Sequence, residues 1–193
     1  MAKSRSAADA PIHQIKVTLE GSKPPIWRRL LVRSDITLGD LHHIIQAAFG
    51  WEDYHLHQFI IGGIYFGVPH PDYDDYVDMH DERKMRLHQI TGREGFKFRY
   101  EYDFGDSWLH QVLVEKILSP EPGQDYPVCI KGRRACPPED VGGIWGYYGF
   151  LEAISDPDHE EHEEYLDWVG GEFDPQEFDL EEVNQALRAL REG

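Results

Sequence analysis

Two short runs gather side chains that could do chemistry. Asp103-Phe104-Gly105-Asp106-Ser107-Trp108 sets two carboxylates either side of a glycine, with His110 just beyond the tryptophan. Further on, Arg133-Arg134-Ala135-Cys136-Pro137-Pro138-Glu139-Asp140-Val141-Gly142-Gly143 places a second carboxylate pair beside two arginines and a thiol. Reversing a chain needs only Gly, Asn, Asp or Pro at the right positions. The remaining carboxylates and aromatics mark both runs as candidate sites, since a rigid turn is a good platform for a ligand. Such carboxylates hold a cation or a basic group, and with a histidine they can support metal-assisted hydrolysis. The same residues also serve plain architecture: Asp accepts backbone N–H groups in a turn, and Pro137-Pro138 with Glu139 and Asp140 suits the start of a helix.

Three look-alikes fail on context. Asp103-Phe104-Gly105 matches the magnesium-binding triplet of kinases, but no glycine-rich loop or H-R-D run accompanies it. Gly105-Asp106-Ser107 and the later Asp156-Pro157-Asp158-His159 resemble the spacing of certain serine esterases. Those enzymes place the nucleophile after the first strand of a parallel sheet, whereas Ser107 belongs to an antiparallel hairpin late in the chain. His55 and His57 share one strand face with Phe59 and Ile61, which suits core or hydrogen-bonded imidazoles better than a metal pair. Cys129 and Cys136 are too few for a disulfide framework and too far apart for a short C-x-x-C knuckle, so they read as structural thiols.

Composition narrows the classes. The 193 residues, 40% hydrophobic and 12% aromatic, suit one domain with a real core. No apolar run approaches the roughly 18 residues of a membrane span, and the first ten residues read as a tail without a signal core, which places the protein in the cytoplasm. The net charge is −17, and the stretch from Asp156 to Glu182 contains no Lys or Arg. Phosphate backbones would be repelled there, so direct nucleic-acid binding is disfavoured, although Arg28, Arg29 and Arg33 or Lys131, Arg133 and Arg134 could form a local basic patch. The acidic stretch reads as a solvated face or as a docking surface for a basic partner.

The elements that must position these groups follow from periodicity. Ile15, Val17 and Leu19 alternate with Lys16 and Thr18. After a Gly/Pro break, Ile26, Arg28, Leu30 and Val32 lie opposite Trp27, Arg29 and Leu31, which predicts a hairpin. Thr37 and Asp40 form a capping box ahead of Leu38, Leu41, Ile44, Ile45, Ala48 and Phe49, and Gly50 ends that helix. Tyr54–Ile61 and Ile64–Phe66 predict another hairpin, and residues 67–93 a long irregular connection. Phe96, Phe98, Tyr100 and Tyr102 alternate in a strand that pairs with Trp108–Leu118, and Tyr126–Ile130 adds a short strand. Stripes of Ile144, Tyr147, Tyr148, Leu151 and Ile154, then of Tyr165, Leu166 and Val169, and a capping box at Asp179 and Glu182 make the end helical. The expectation is a tail over 1–10 and a single α+β domain over 11–193, helical and acidic from 143. Its sheet is mainly antiparallel with one early helix packed on it, and the opening ββαββ order admits a β-grasp-like start.

Taken together, Pro25-Ile26-Trp27-Arg28-Arg29, His57-Gln58-Phe59, Tyr102-Asp103-Phe104-Gly105-Asp106-Ser107-Trp108, Cys136-Pro137-Pro138-Glu139-Asp140-Val141-Gly142-Gly143 and Gly146-Tyr147 resemble the plasmid pRiA4b ORF-3-like family over about residues 11–190. The resemblance implies an α+β fold, occurrence as passengers of mobile elements, and no established activity, substrate or cofactor. Some relatives are labelled resolvase-like, yet neither a serine- nor a tyrosine-recombinase motif is present. Val141 stands where some relatives carry a further cysteine, which counts against a thiol-based metal centre.

No nucleophile–base pair and no complete metal-ligand set can be assembled from spacing alone. The reading is therefore a binding or adaptor protein with a protein partner, whose surface combines Trp27, Asp103, Asp106, Trp108, His110, Arg134, Glu139 and Asp140. Two alternatives stand beside it. One is a metal-assisted hydrolase using Asp103, Asp106, Glu139 and Asp140 with His57 or His110, and the other is a nucleic-acid-associated regulator.

Overall fold

The computed structural model describes residues 10–69 and 78–191. The expected tail, apart from Ala10, and Pro71 in the expected connection lie outside that range.

Alternation builds the sheet. β1 (Ile12–Leu19) buries Ile15, Val17 and Leu19, and β2 (Trp27–Arg33) pairs with it so that Leu30 lies opposite Ile15 and Arg28 opposite Val17. In α1 (Leu38–Phe49), Thr37 Oγ1 accepts from Asp40 N at 3.0 Å and Asp40 Oδ2 accepts from Thr37 N at 2.7 Å, the reciprocal cap expected. The chain continues through β3 (His57–Ile61), β4 (Ile64–Gly67), β5 (Met79–Asp81), a 3₁₀ turn (Glu82–Lys84) and α2 (Leu87–Ile90). Next come β6 (Lys97–Tyr102), β7 (Trp108–Leu118), β8 (Val128–Arg133), α3 (Gly143–Ser155), α4 (His162–Val169) and α5 (Leu180–Ala189). The eight strands form one sheet in the order β5-β4-β3-β6-β7-β1-β2-β8. All neighbours pair antiparallel except β4 with β5. The fold is thus α+β with a mainly antiparallel sheet. The β-grasp-like start is not formed among the described strands: the β6–β7 hairpin lies between the β1–β2 and β3–β4 hairpins, and β1 pairs antiparallel with β7, where a β-grasp would have a parallel central pair.

Four local expectations are corrected. Residues 79–90 of the expected irregular connection form β5, the 3₁₀ turn and α2, and they bury Glu82 and Leu87. The last strand runs over Val128–Arg133, not Tyr126–Ile130. His55 precedes β3 and does not share its face with His57. In α3 the buried side chains are Tyr147, Phe150 and Ala153, so the inner stripe is centred one residue away from Leu151.

One face of the sheet carries the core, with Leu38, Leu41, Ile45 and Ala48 of α1 packed over Phe59, Tyr100 and Trp108. Inside it, burial keeps His42 and His110 neutral. Gln46 Nε2 donates to Tyr100 Oη at 2.9 Å, so the Tyr100 hydroxyl proton points at His42 Nδ1, 2.8 Å away, and His42 Nε2–H donates to Asp53 Oδ1 at 2.8 Å. The His57 ring stacks on His42 with centroids 3.4 Å apart, and its Nε2 bonds Glu82 Oε2 at 2.9 Å. Burial, with the neighbouring His57 second, presses His42 down to about 2, and burial presses His110 down to about 3. His13, bonded to Thr91, is lowered for the same reason.

The ends of two connections meet through backbone. Asp106 Oδ2 accepts from Gly142 N at 3.0 Å, and a Cβ placed on Gly143 would lie 2.4 Å from the Asp106 carbonyl oxygen. Gly143 also has φ +67, a conformation costly to a side chain. At Gly146 a Cβ would meet the Val141 carbonyl oxygen at 2.0 Å.

Two outcomes are expected. Because His42 and His110 are held neutral below their unfolded pKa of roughly 6.5, the unfolded chain binds protons that the native state refuses. Stability should therefore fall as pH drops below 6.5, by about 1.4 kcal/mol per pH unit for each group, until their folded pKa values are approached. Urea titrations between neutral and mildly acid pH measure the slope, which His110→Leu should reduce; a flat profile contradicts this account. Gly143→Ala should cost about 2 kcal/mol or more through clash and backbone strain, read as a lower urea midpoint, whereas Gly149→Ala, with open space at its Cβ, should be nearly neutral.

Candidate functional site

Three connections converge at one end of the sheet: residues 50–56 between α1 and β3, the 103–107 turn between β6 and β7, and residues 134–142 ahead of α3. Their anchor is aromatic. Trp51 stacks on Tyr102 at 5.1 Å and donates Nε1–H to the Pro137 carbonyl at 3.1 Å, which ties the first connection to the third. Tyr102 Oη donates to Glu139 Oε1 at 2.9 Å and accepts from Tyr54 N at 3.1 Å. Glu139 Oε1 also accepts from Glu52 N at 2.9 Å. Burial, and then Glu139, pushes the Tyr102 hydroxyl well above its ordinary range, so it remains a proton donor.

In the turn, Asp103 Oδ1 accepts from Gly105 N at 2.8 Å, while Asp103 N donates to the Leu56 carbonyl at 2.9 Å. That arrangement leaves Oδ2 directed at His55. His55 Nε2 lies 3.8 Å from Asp103 Oδ2 and 3.1 Å from Asp140 Oδ1. Although shielded from solvent, His55 Nε2 makes no hydrogen bond of acceptable geometry among the described residues. Two ligand atoms about 2.1 Å from a shared cation stand roughly 3.0 Å apart at right angles and 3.4 Å apart in a tetrahedron. The 3.1 Å separation falls within that range and the 3.8 Å separation a few tenths beyond it. His55, Asp103 and Asp140 are therefore the side chains that could hold a metal ion. The other compact group, His42, His43 and Asp53, is less suited, because His42 Nε2 already donates its proton to Asp53.

Among the described residues, five that are not glycine adopt positive φ: Asp53, Asp103, Ser107, Arg134 and Asp140. All five belong to these three connections. Such conformations persist only where surrounding structure enforces them, and they concentrate at ligand sites.

Of the four predicted carboxylates, Asp103 and Asp140 meet at His55, whereas Asp106 is held by Gly142 N and Glu139 by Tyr102 Oη and Glu52 N. Arg134 lies beside Tyr147, whose hydroxyl burial pushes up to about 12. Trp108 and His110 do not reach the surface: both are buried, with His110 Nδ1 donating to the Trp108 carbonyl at 2.8 Å. Trp27 sits on the opposite face of the sheet, with Lys16 Nζ 4.7 Å and the Arg29 guanidinium 5.1 Å from its ring. The residues that spacing alone missed at the site are Glu52, Tyr54 and His55. The run Trp51-Glu52-Asp53-Tyr54-His55 after the Gly50 helix stop is as dense in acids and aromatics as the other two loops. Cys136 lies below, its thiol pushed up to about 11 by burial, with Arg28 Nη2 donating to Sγ at 3.1 Å.

No helix among the described residues is long and apolar enough to cross a membrane. A crystal structure from Methanosarcina mazei Go1, titled as a protein of unknown function MM3350, superposes with a TM-score of 0.81 at 38% identity, covering 90% of this chain and 98% of that one. The uncharacterized protein y4hQ of Sinorhizobium fredii is 38% identical over 183 residues, 94% of this chain and 93% of that protein. Residues 11–182, which carry all three loops, match the family described as plasmid pRiA4b ORF-3-like protein, and the chain belongs to that family.

Proposed function

We propose that the protein is a binding protein whose recognition site is the loop cluster around His55, with a divalent cation held by His55, Asp103 and Asp140 at its inner end. The carrying observation is His55 Nε2, shielded and without a hydrogen bond while two carboxylate oxygens stand 3.1 and 3.8 Å from it. The charge of a cation would offset the repulsion between Asp103 and Asp140 and give the imidazole an electron-pair acceptor. Candidate nucleophiles around the site are engaged elsewhere, which favours binding over catalysis. Ser107 Oγ donates to Glu101 Oε1 at 2.7 Å, and burial keeps the Cys136 thiol protonated.

Metal-assisted hydrolysis is the second reading, favoured by the ligand count at His55, Asp103 and Asp140. Three protein ligands leave a cation positions for water and substrate, the pattern of catalytic rather than structural centres.

Native mass spectrometry against a denatured control, with calorimetric titration of Mn²⁺ and Zn²⁺, tests the binding. One ion per chain is expected, with His55→Gln, Asp103→Asn and Asp140→Asn each weakening it at least tenfold. Glu160→Gln on the distant acidic stretch should leave it unchanged. Absence of heat and of mass excess at millimolar metal would sink the cation site. Metal-dependent turnover of simple phosphate or carboxylate esters, abolished by Asp140→Asn, would move the assignment to the hydrolase.

A further inference from the structure

The rim of the loop cluster carries large apolar side chains in solvent. Trp145 is 83% exposed, Tyr54 73% and Phe104 47%. Isolated exposed apolar residues are ordinary, but three bare rings on segments that bond to one another are characteristic of an interaction surface, and Trp145 has Tyr148 6.5 Å from its ring. The three rings stand on segments tied to one another. Asp103 N bonds the Leu56 carbonyl, His55 lies against Asp103 and Asp140, and Gly142 N bonds Asp106, two residues along from Phe104. Trp145 follows in the first turn of α3, where Gly143 touches the Asp106 carbonyl.

The charge on those segments is of one sign. Residues 52–56, 103–107 and 139–145 contain Glu52, Asp53, Asp103, Asp106, Glu139 and Asp140 and no Lys or Arg, and the one cation of the three connections, Arg134, lies beside the buried Tyr147. Several of these carboxylates are occupied: Glu139 by Tyr102 and Glu52 N, Asp106 by Gly142 N, Asp53 by His42. Their negative charge nevertheless remains, because every one of those partners is neutral. Open aromatic faces set among uncompensated carboxylates attract a cation that carries apolar surface, through the ring quadrupole and the Coulomb field together. Lys and Arg side chains have that character, and the arginine plane also stacks on rings. A phosphate backbone would meet only repulsion here.

We infer that this rim docks a basic, arginine- or lysine-bearing segment of a partner protein, with its cationic side chains between Tyr54, Phe104 and Trp145 and the loop carboxylates. This rests on reading the loop cluster as a binding site, but it does not require the inner cation. The rim residues are not among the three metal-binding side chains, and docking can be measured in chelator. The C-terminal acidic stretch is a competing attractor, and it differs from the rim in a way that can be tested. No residue of α4 is buried, and its first turn carries Glu163 and Glu164, so whatever it attracts is held by diffuse charge.

Fluorescence anisotropy of the full chain with a short labelled peptide of alternating arginine and serine, in the presence of chelator, tests the inference. Saturable binding that weakens with added salt is expected, together with at least tenfold loss in Trp145→Ser and in a Tyr54→Ser/Phe104→Ser double variant. These side chains are exposed, so far-UV circular dichroism and thermal midpoints should stay at wild-type values. Glu163→Gln/Glu164→Gln should change affinity less than twofold. Three results would overturn the proposal: rim variants that bind like wild type, loss on neutralising α4 instead, or tighter binding of single-stranded oligodeoxythymidylate than of the peptide. Failure of the Mn²⁺ and Zn²⁺ titrations with peptide binding intact would remove the cation and leave the docking face in place.

Discussion

A buried guanidinium holds this architecture in register. Arg28 is 4% exposed, and among the described residues it has no carboxylate beside it. Burying a cation without a counter-ion costs several kcal/mol unless hydrogen bonds and dipoles replace its water. Here Nε donates to the Ala48 carbonyl near the C-terminus of α1, the negative end of that helix dipole. Nη1 reaches the Trp27 and Arg133 carbonyls, and Nη2 reaches Cys136 Sγ. The Phe49 and Phe178 rings lie 5.2 and 4.6 Å from the guanidinium carbon and supply their quadrupoles. Any displacement of α1, β2, β8 or the Cys136 segment would strand part of that cation, so all four must move together or not at all.

The functional end inherits this constraint through the chain itself. Cys136 precedes Pro137, whose carbonyl receives the Trp51 indole, and Trp51 follows directly on the end of α1 that Arg28 holds. A closed circuit thus runs from Arg28 along two chain segments to one hydrogen bond. Glu139 and Tyr102 extend it into the site. The edge strand is finished by the same economy. Asn184 of α5 accepts from Cys129 N and donates to Cys129 O, covering backbone groups that an edge otherwise offers to other chains.

Much of the frame was legible in the chain, because alternation and capping are local codes. The β1–β2 and β6–β7 pairs and the Thr37 box were read from neighbouring residues, and the same parity already assigned Trp27 and Arg28 to opposite faces. Carrying that parity across the β1–β7 pairing, with Val17 beside Val112, would also have put Trp108 and His110 inside. Residues 79–90 were illegible for the opposite reason. Their strand and helix are too short to show a period and are set by packing of Leu87 and by the His57–Glu82 bond. The convergence of the two acidic loops rests on contacts such as Asp106 with Gly142, 36 residues apart, which no local pattern encodes. His55 falls outside the strand because β3 begins three residues later than the run from Tyr54 suggests.

Preorganisation is what this arrangement supplies to a ligand. The 52–55 segment is fixed at nearly every residue: Glu52 N to Glu139, Asp53 to His42 and Gln46, Tyr54 N to Tyr102, and His55 beside two carboxylates. Its strained Asp53 is thereby held by the buried histidine network, so the interior and the loop surface share a side chain. Ordering a loop on binding costs affinity, and a loop already ordered by the core avoids most of that cost. Carboxylates set this close repel one another, and a cation placed among them would relieve that repulsion. The same loops that folding holds under strain and charge are the ones a positively charged partner would stabilise most.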